Sequence, residues 1–343
     1  MMPKRPTLPD LFRSRRPLVA GALLAAACAM FPGGCSTPAG GDSSADARPS
    51  ASGQDLVASA EEALSRGDKE AALRDFARAI EVNPTLTTAH MGMADIYRVD
   101  GDYSRAERGY RRAAEIEPRN FDAQYYHGLM LHVLDRVSEA IQAYLRALAV
   151  RPDDFQANLN LATAYYQLGE NTQALPYAQR AVALNPTDGP ARFNLGAIYA
   201  AMDRHSEAVI EYQQATERME LSAPLLLNLA ESLGKLERWT EMRNALEQAV
   251  RQKPSAAAFE RLGYAQFKNK QYDESMASFR RSLEFDANYF PALNGLGVCE
   301  LNTWIWSDRK DLAAKDRAMA ALRRSLQINR NQPRIEELLT RYR

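Results

Sequence analysis

The sequence predicts an all-α protein, a solenoid of about eight helix-turn-helix units closed by a C-terminal capping helix. Three observations predict it. Prolines fall at Pro84, Pro118, Pro152 and Pro186, each 34 residues after the last, and again at Pro254, 68 after Pro186. Alanine holds two further columns in the same register: Ala79, Ala113, Ala147, Ala181, Ala215 and Ala249, then Ala72, Ala106, Ala140, Ala174 and Ala208, the second broken by Met242. A bulky column runs through Phe76, Tyr110, Tyr144, Tyr212 and Leu246, with Ala178 as its exception. A fixed period of this length marks stacked supersecondary units, none of which buries its apolar face alone.

The segments follow in order. Residues 1–34 begin with Lys4, Arg5, Arg13, Arg15 and Arg16 and continue into PLVAGALLAAACAMF. That apolar run of about 15 residues is shorter than the roughly 20 a membrane-spanning helix needs, so the segment reads as an export signal. Its removal takes five basic residues and one acidic, leaving 38 against 42 and a mature net charge of −4. Residues 35–53 are rich in Ser, Gly, Ala and Pro and too polar to offset their ordering entropy, which predicts a flexible tether. The array occupies 54–330, with six regular units over 53–254.

Within the units, Gly67, Gly101 and Gly169 stand where first helices must end, because glycine takes the left-handed cap without a side-chain penalty. Asn83, Arg151 and Asn185 precede proline, which pushes them out of helical geometry and stops the second helix. Gly128, Ala162 and Ala174 are small enough for close helix approach, and a larger side chain there should cost about 1–3 kcal/mol. The proline beat is missed once, at Glu220. Leu262-Gly263 and Phe279 place a seventh unit one residue out of register, and Leu296-Gly297 open an eighth. Leu322 lies 43 residues after Phe279, so about nine residues are inserted near 303–312. Pro333 suits the first turn of a closing helix over 331–343.

The period and its columns resemble the tetratricopeptide repeat, whose first-helix signature stands here as Leu161-Ala162 with Tyr165, Leu195-Gly196 with Tyr199, and Met93-Ala94 with Tyr97. The resemblance implies a right-handed superhelix whose first helices line a concave groove for a protein or peptide partner. The N-terminus is similar to a bacterial lipoprotein signal, with Cys35 directly after the apolar run and Pro32 where that family has leucine. It implies acylation of Cys35, with Cys28 as the rival site and a plainly cleaved signal or an uncleaved anchor as alternatives. Ser36 after Cys35 points to the periplasmic face of the outer membrane; a soluble periplasmic protein is the alternative.

Candidate groove residues follow from the same register. Asn160, Asn194 and Asn228 are 34 apart and should form a ladder, since an amide offers both donor and acceptor to an extended peptide. The competing reading is that these asparagines bond locally. Tyr125, Leu159, Phe193 and Leu227 form a neighbouring apolar and aromatic column, with His132 and Tyr166 as a shorter pair. Thr163 and Gln167 share the accessible face of their helix, and Glu231 makes part of the groove acidic. Trp304 and Trp306 in the insertion are either a second anchor or packing over the last repeat. No metal or cofactor site is expected: the four histidines lack metal-ligand spacing, and no catalytic motif is present. A balanced charge without a basic patch argues against nucleic acid. Self-association through irregular terminal repeats is open. The expectation is a non-catalytic, membrane-tethered scaffold in cell-envelope assembly, with a soluble adaptor or a glycan-binding subunit as alternatives.

Overall fold

The computed structural model describes residues 52–343, and the signal, the acylation sites Cys28 and Cys35 and most of the tether lie outside the described residues. Among the described residues all regular structure is α-helical, in 17 helices. They fall into two compact units, 52–185 and 186–343. The first holds the pairs α1 (Gly53–Ser65) and α2 (Lys69–Val82), α3 (Thr87–Val99) and α4 (Tyr103–Ile116), α5 (Phe121–Val133) and α6 (Val137–Val150), and α7 (Phe155–Gln167) and α8 (Asn171–Leu184). The second holds α9 (Gly189–Ala201) and α10 (His205–Thr216), α11 (Ala223–Lys235) and α12 (Trp239–Gln252), α13 (Ala256–Lys268) and α14 (Tyr272–Phe285), α15 (Phe290–Trp306) and α16 (Leu312–Ile328), then α17 (Pro333–Arg341).

Local chemistry sets these boundaries. Asn120, Asp154, Asp188, Ser222 and Ser255 cap first helices by accepting a backbone N–H three residues on, satisfying one of the donors a helix start leaves open. Second helices stop before proline as expected: Asn83, Arg151 and Asn185 adopt φ/ψ of −140/94°, −128/87° and −133/85°. Gly67, Gly101 and Gly169 close their turns at φ of 78°, 80° and 75°. Asp135, Asp203, Glu237 and Lys270 close other turns in the same left-handed region while carrying side chains.

The columns pack against each other inside each pair. A Cβ built on Gly128 would lie 2.8 Å from the Tyr144 ring, so the small first-helix residue is what admits the aromatic of the second helix. Phe76, Tyr110, Tyr144, Tyr212 and Phe279 are fully buried by this arrangement. Where Ala178 breaks the bulky column, Tyr165 and Tyr177 stack with ring centroids 5.9 Å apart and pack against the core around Tyr144 and Leu161.

Two irregularities have structural consequences. At the missed proline, α10 ends after 12 residues instead of 14, and Glu217–Ser222 crosses to α11. A cleft of about 310 Å³ opens there, floored by Leu221, Leu226, Leu229 and Leu233. At the insertion the extra residues are spread over the whole last pair. First helix, turn and second helix grow from 13, 3 and 14 residues in α5/α6 to 17, 5 and 17 in α15/α16.

Candidate functional site

The first helices of residues 52–185 carry a network that crosses from one repeat to the next. On α3, Asp95 Oδ1 accepts from the Tyr110 hydroxyl at 2.6 Å and from Arg98 Nη2 at 3.1 Å. Arg98 Nε donates to the Tyr110 oxygen at 3.1 Å, and the guanidinium lies 5.3 Å over the Tyr126 ring of α5. Tyr126 stacks on Tyr110 at 5.3 Å and meets Tyr125 edge-on at 5.2 Å. From α7, Asn160 Nδ2 donates to the Tyr125 hydroxyl oxygen at 3.1 Å. His132 Nε2 lies 2.8 Å from Gln167 Oε1, and its Nδ1 lies 3.5 Å from the buried Tyr144 hydroxyl. The carboxamide oxygen only accepts, so Nε2 carries the proton and Nδ1 accepts from Tyr144.

Burial tunes these groups. It pushes the Tyr125 phenol up to about 12 and the Tyr144 phenol well above its ordinary value, so both stay protonated. It holds His132 below the ordinary imidazole value against the opposing pull of its hydrogen bond to Gln167 and of the Asp135 charge, which keeps the ring neutral. Behind this face, buried Glu107 takes His127 Nε2 at 3.3 Å and Arg136 Nη1 at 3.4 Å. Desolvation, aided by Arg146 and Arg111, outweighs Glu107 and depresses His127.

The expected site residues are placed unevenly. Asn160 belongs to the first unit and Asn194 and Asn228 to the second. Asn160 is not an open rung: it is 4% exposed and one of its two amide hydrogens is taken by Tyr125. Tyr125, Leu159, Thr163 and Tyr166 are half-buried, Thr163 donates to the Leu159 carbonyl at 2.8 Å, and Gln167 is exposed. In residues 186–343, Phe193, Asn194, Leu227 and Asn228 are half-buried, and Phe193 tilts against the Tyr212 ring at 5.8 Å. Glu231 is paired with Arg261 at 3.7 Å, so it does not leave that surface acidic.

Of its two readings, Trp304 takes packing over the last repeat. It is 7% exposed, its indole N–H donates to the Arg309 carbonyl at 3.1 Å, and Tyr342 packs edge-on at 5.9 Å. Trp306 is half-buried against Tyr272, with centroids 4.5 Å apart.

Sequence reasoning missed the pairing of Tyr125 with Asn160 and of His132 with Gln167. Both join residues 35 apart, which is the next residue beyond one repeat. Scanning that offset for donor–acceptor pairs would have found them. Among the described residues no group of three or more His, Cys, Asp or Glu side chains is placed to hold a metal ion, and no helix is long and apolar enough to cross a membrane. Cys299 is buried 3.6 Å from the Ser275 hydroxyl, and burial pushes its thiol up to about 12.

Stacked helical pairs with a polar and aromatic first-helix face define a repeat solenoid of the interaction-module class. The tetratricopeptide repeat profile matches residues 57–116, 91–157, 135–189, 159–220 and 227–290, more than half of the chain, and the chain belongs to that family. Comparison with curated proteins gives no match. Among solved structures, YrrB, described as a TPR protein with an unusual peptide-binding site, is 19% identical, with a TM-score of 0.51 over 58% of this chain and 98% of its own. A tetratricopeptide repeat protein from Parabacteroides merdae is 15% identical, with a TM-score of 0.49 over 72% and 98%. PilW, a type IV pilus biogenesis factor, is 23% identical, with a TM-score of 0.48 over 59% and 94%. These are likenesses of fold.

Proposed function

We propose that the protein is a non-catalytic scaffold that holds a peptide segment or partner protein on its first-helix face, tethered to a membrane of the cell envelope through Cys35. The observation that carries the binding reading is the network over α3, α5 and α7. It fixes half-exposed aromatic and polar side chains in place before a partner arrives, which lowers the entropy cost of association. The tether reading rests on the sequence alone, on the apolar run ending at Cys35 and the polar segment behind it. Cys28 is the alternative acylation site, and a soluble periplasmic adaptor is the alternative without lipid. The glycan-binding alternative, which would use Tyr125, Tyr166 and Trp304, loses the last of these because Trp304 is core.

Cross-linked capture from envelope extract, comparing the wild type with Tyr126→Ala and Gln167→Glu, tests the site. A partner held by the wild type and lost by still-helical variants supports it, and equal capture by all three removes it. Membrane fractionation of Cys35→Ala tests the anchor: release into the soluble fraction is expected, and unchanged partitioning with Cys28 intact rules out acylation at Cys35.

A further inference from the structure

Resting on the tether reading above, we infer that the outward face of α14 and α16 docks on an anionic phospholipid surface, a second membrane contact far along the chain from Cys35. The balanced total charge hides an uneven distribution. Residues 307–343 hold ten basic side chains against five acidic, a net +5, which leaves −9 for the rest of the mature chain. All seven basic residues beyond Asp316 are arginine.

A repeated pattern builds the face. Arg280, Arg281 and Phe285 on α14 recur 43 residues later as Arg323, Arg324 and Ile328 on α16, the interval that also separates Phe279 from Leu322. All six are exposed, Phe285 by 46% and Ile328 by 40%, and the small Ala277 and Ala320 are exposed one turn before each arginine pair. Glu300 of α15, 3% exposed, braces the two helices: its Oε1 accepts from Arg280 at 3.1 Å and its Oε2 from Arg317 at 2.8 Å. One buried carboxylate thus holds two guanidiniums at the surface, and a positive charge remains. Arg324 Nη2 donates to Asn288 Oδ1 at 3.3 Å, a neutral partner that leaves its charge uncompensated. Arg281 lies 5.5 Å over the Phe285 ring and is paired with Glu284, which with Asp286 is the acidic part of this end of α14.

These features match a headgroup layer. The planar arginine fork meets phosphate oxygens two at a time. Single apolar side chains set among the cations suit the boundary beneath the headgroups, where Phe285 and Ile328 would leave water. An outer helix face with alanines between its arginines offers a peptide no groove, whereas mobile lipids rearrange to meet it. An acyl anchor and a basic patch also reinforce each other as two membrane signals.

Vesicle flotation tests the contact with the chain from residue 35 carrying Cys35→Ser, so that neither the apolar run nor an acyl chain contributes; every described helix is retained. Vesicles of equal parts phosphatidylglycerol and phosphatidylcholine are compared with phosphatidylcholine alone. Binding to the mixed vesicles only is expected, weakened about thirtyfold by Arg323→Gln/Arg324→Gln and a few-fold by Ile328→Ser. These side chains are exposed, so the fold is retained. Arg74→Gln/Arg78→Gln on α2 removes the same charge elsewhere and should change binding little. No binding, equal binding to neutral vesicles, or a loss no greater than that of the α2 variant overturns the inference. Stronger competition by a DNA duplex or polyglutamate than by the mixed vesicles at matched charge also overturns it, by giving the face to a nucleic acid or an acidic protein. Fractionation of Cys35→Ala after a high-salt wash, which strips electrostatic contacts and spares acyl anchors, judges the tether separately.

Discussion

The pairs α5/α6 and α15/α16 bury their apolar faces by different means. In α5/α6, Gly128 admits the Tyr144 ring, the turn closes through Asp135 at φ 59°, and α7 covers the next face. In α15/α16 the matching glycine, Gly297, meets Leu322 in place of an aromatic ring, with a built Cβ 2.7 Å from it. The longer helices then make a core from Val298, Leu301, Trp304, Met319 and Leu322, with Phe267 of α13 packed against it and Ile335 and Leu338 of α17 over it. Asp308 and Arg309 both take positive φ, 55° and 65°, to turn the enlarged loop back over the Trp304 indole. A pair between neighbours takes its stability from both sides, whereas the terminal pair enlarges its own core and carries a short lid.

The largest effects should therefore differ in reach more than in size. Tyr144→Ala and Trp304→Ala each remove a buried aromatic and are expected to cost about 3–5 kcal/mol in urea unfolding. Hydrogen exchange separates them: Tyr144→Ala should lower protection in α3/α4 and α7/α8 as well as in its own pair, because an array is held together by nearest neighbours. Trp304→Ala should lower it in α15–α17 and the one neighbouring pair, α13/α14, and no further. Equally wide deprotection by Trp304→Ala would break the comparison.

Overpacking comes next. Gly128→Val places a side chain against the Tyr144 ring, whose nearest atom is 2.8 Å from the new Cβ, and the backbone oxygen of Ala140 stands 3.3 Å away on another side. A loss of about 1–3 kcal/mol in thermal unfolding is expected. An unchanged melting temperature would mean that Tyr144 can move aside, and that the small column is a preference rather than a requirement.

The turns give a smaller effect of opposite sign. Glu237→Gly and Lys270→Gly relieve side-chain residues held at φ 58° and 64°, and each should stabilise by up to about 1 kcal/mol. Gly67→Ala at φ 78° should destabilise by a similar amount. Denaturant midpoints of the three variants check this, and a uniform sign would contradict it.

How far the fold was legible follows from the same residues. Columns of Ala, Pro and aromatics name side chains that must be buried, and periodicity alone finds them. The turns closed by Asp135, Asp203, Glu237 and Lys270 were not legible, because their left-handed geometry is imposed by the packed pair and not by the residue. At the site, the register correctly grouped Tyr125, His132 and Asn160 on first helices, but it could not say which are spent on each other. That is decided by the one-residue stagger between adjacent first helices, which brings Tyr125 to Asn160 and His132 to Gln167. Trp304 was ambiguous because one indole N–H serves equally as a surface anchor or as a clasp on its own loop, and only the closure of the loop onto it decides.

Acid sharpens the contrast between the pairs with the least perturbation. His127 and His132 lie on α5, and both are held below the ordinary imidazole value by burial. Groups facing His127 are Glu107 and Glu139, which favour its charged form, and Arg146 and Arg111, which oppose it; His132 faces Gln167, Tyr144 and Asp135. With folded values depressed, the unfolded chain takes up protons first as pH falls. The stability these rings contribute is complete above about pH 6.5 and is lost below it, toward their lowered folded values. Residues 290–343 contain no histidine. Between pH 7 and 5.5 hydrogen-exchange protection, corrected for intrinsic rates, should therefore fall in α5/α6 and hold in α15/α16. His132→Asn should flatten part of the α5/α6 response, whereas an equal fall in both pairs would assign the acid sensitivity to carboxylates distributed along the whole array.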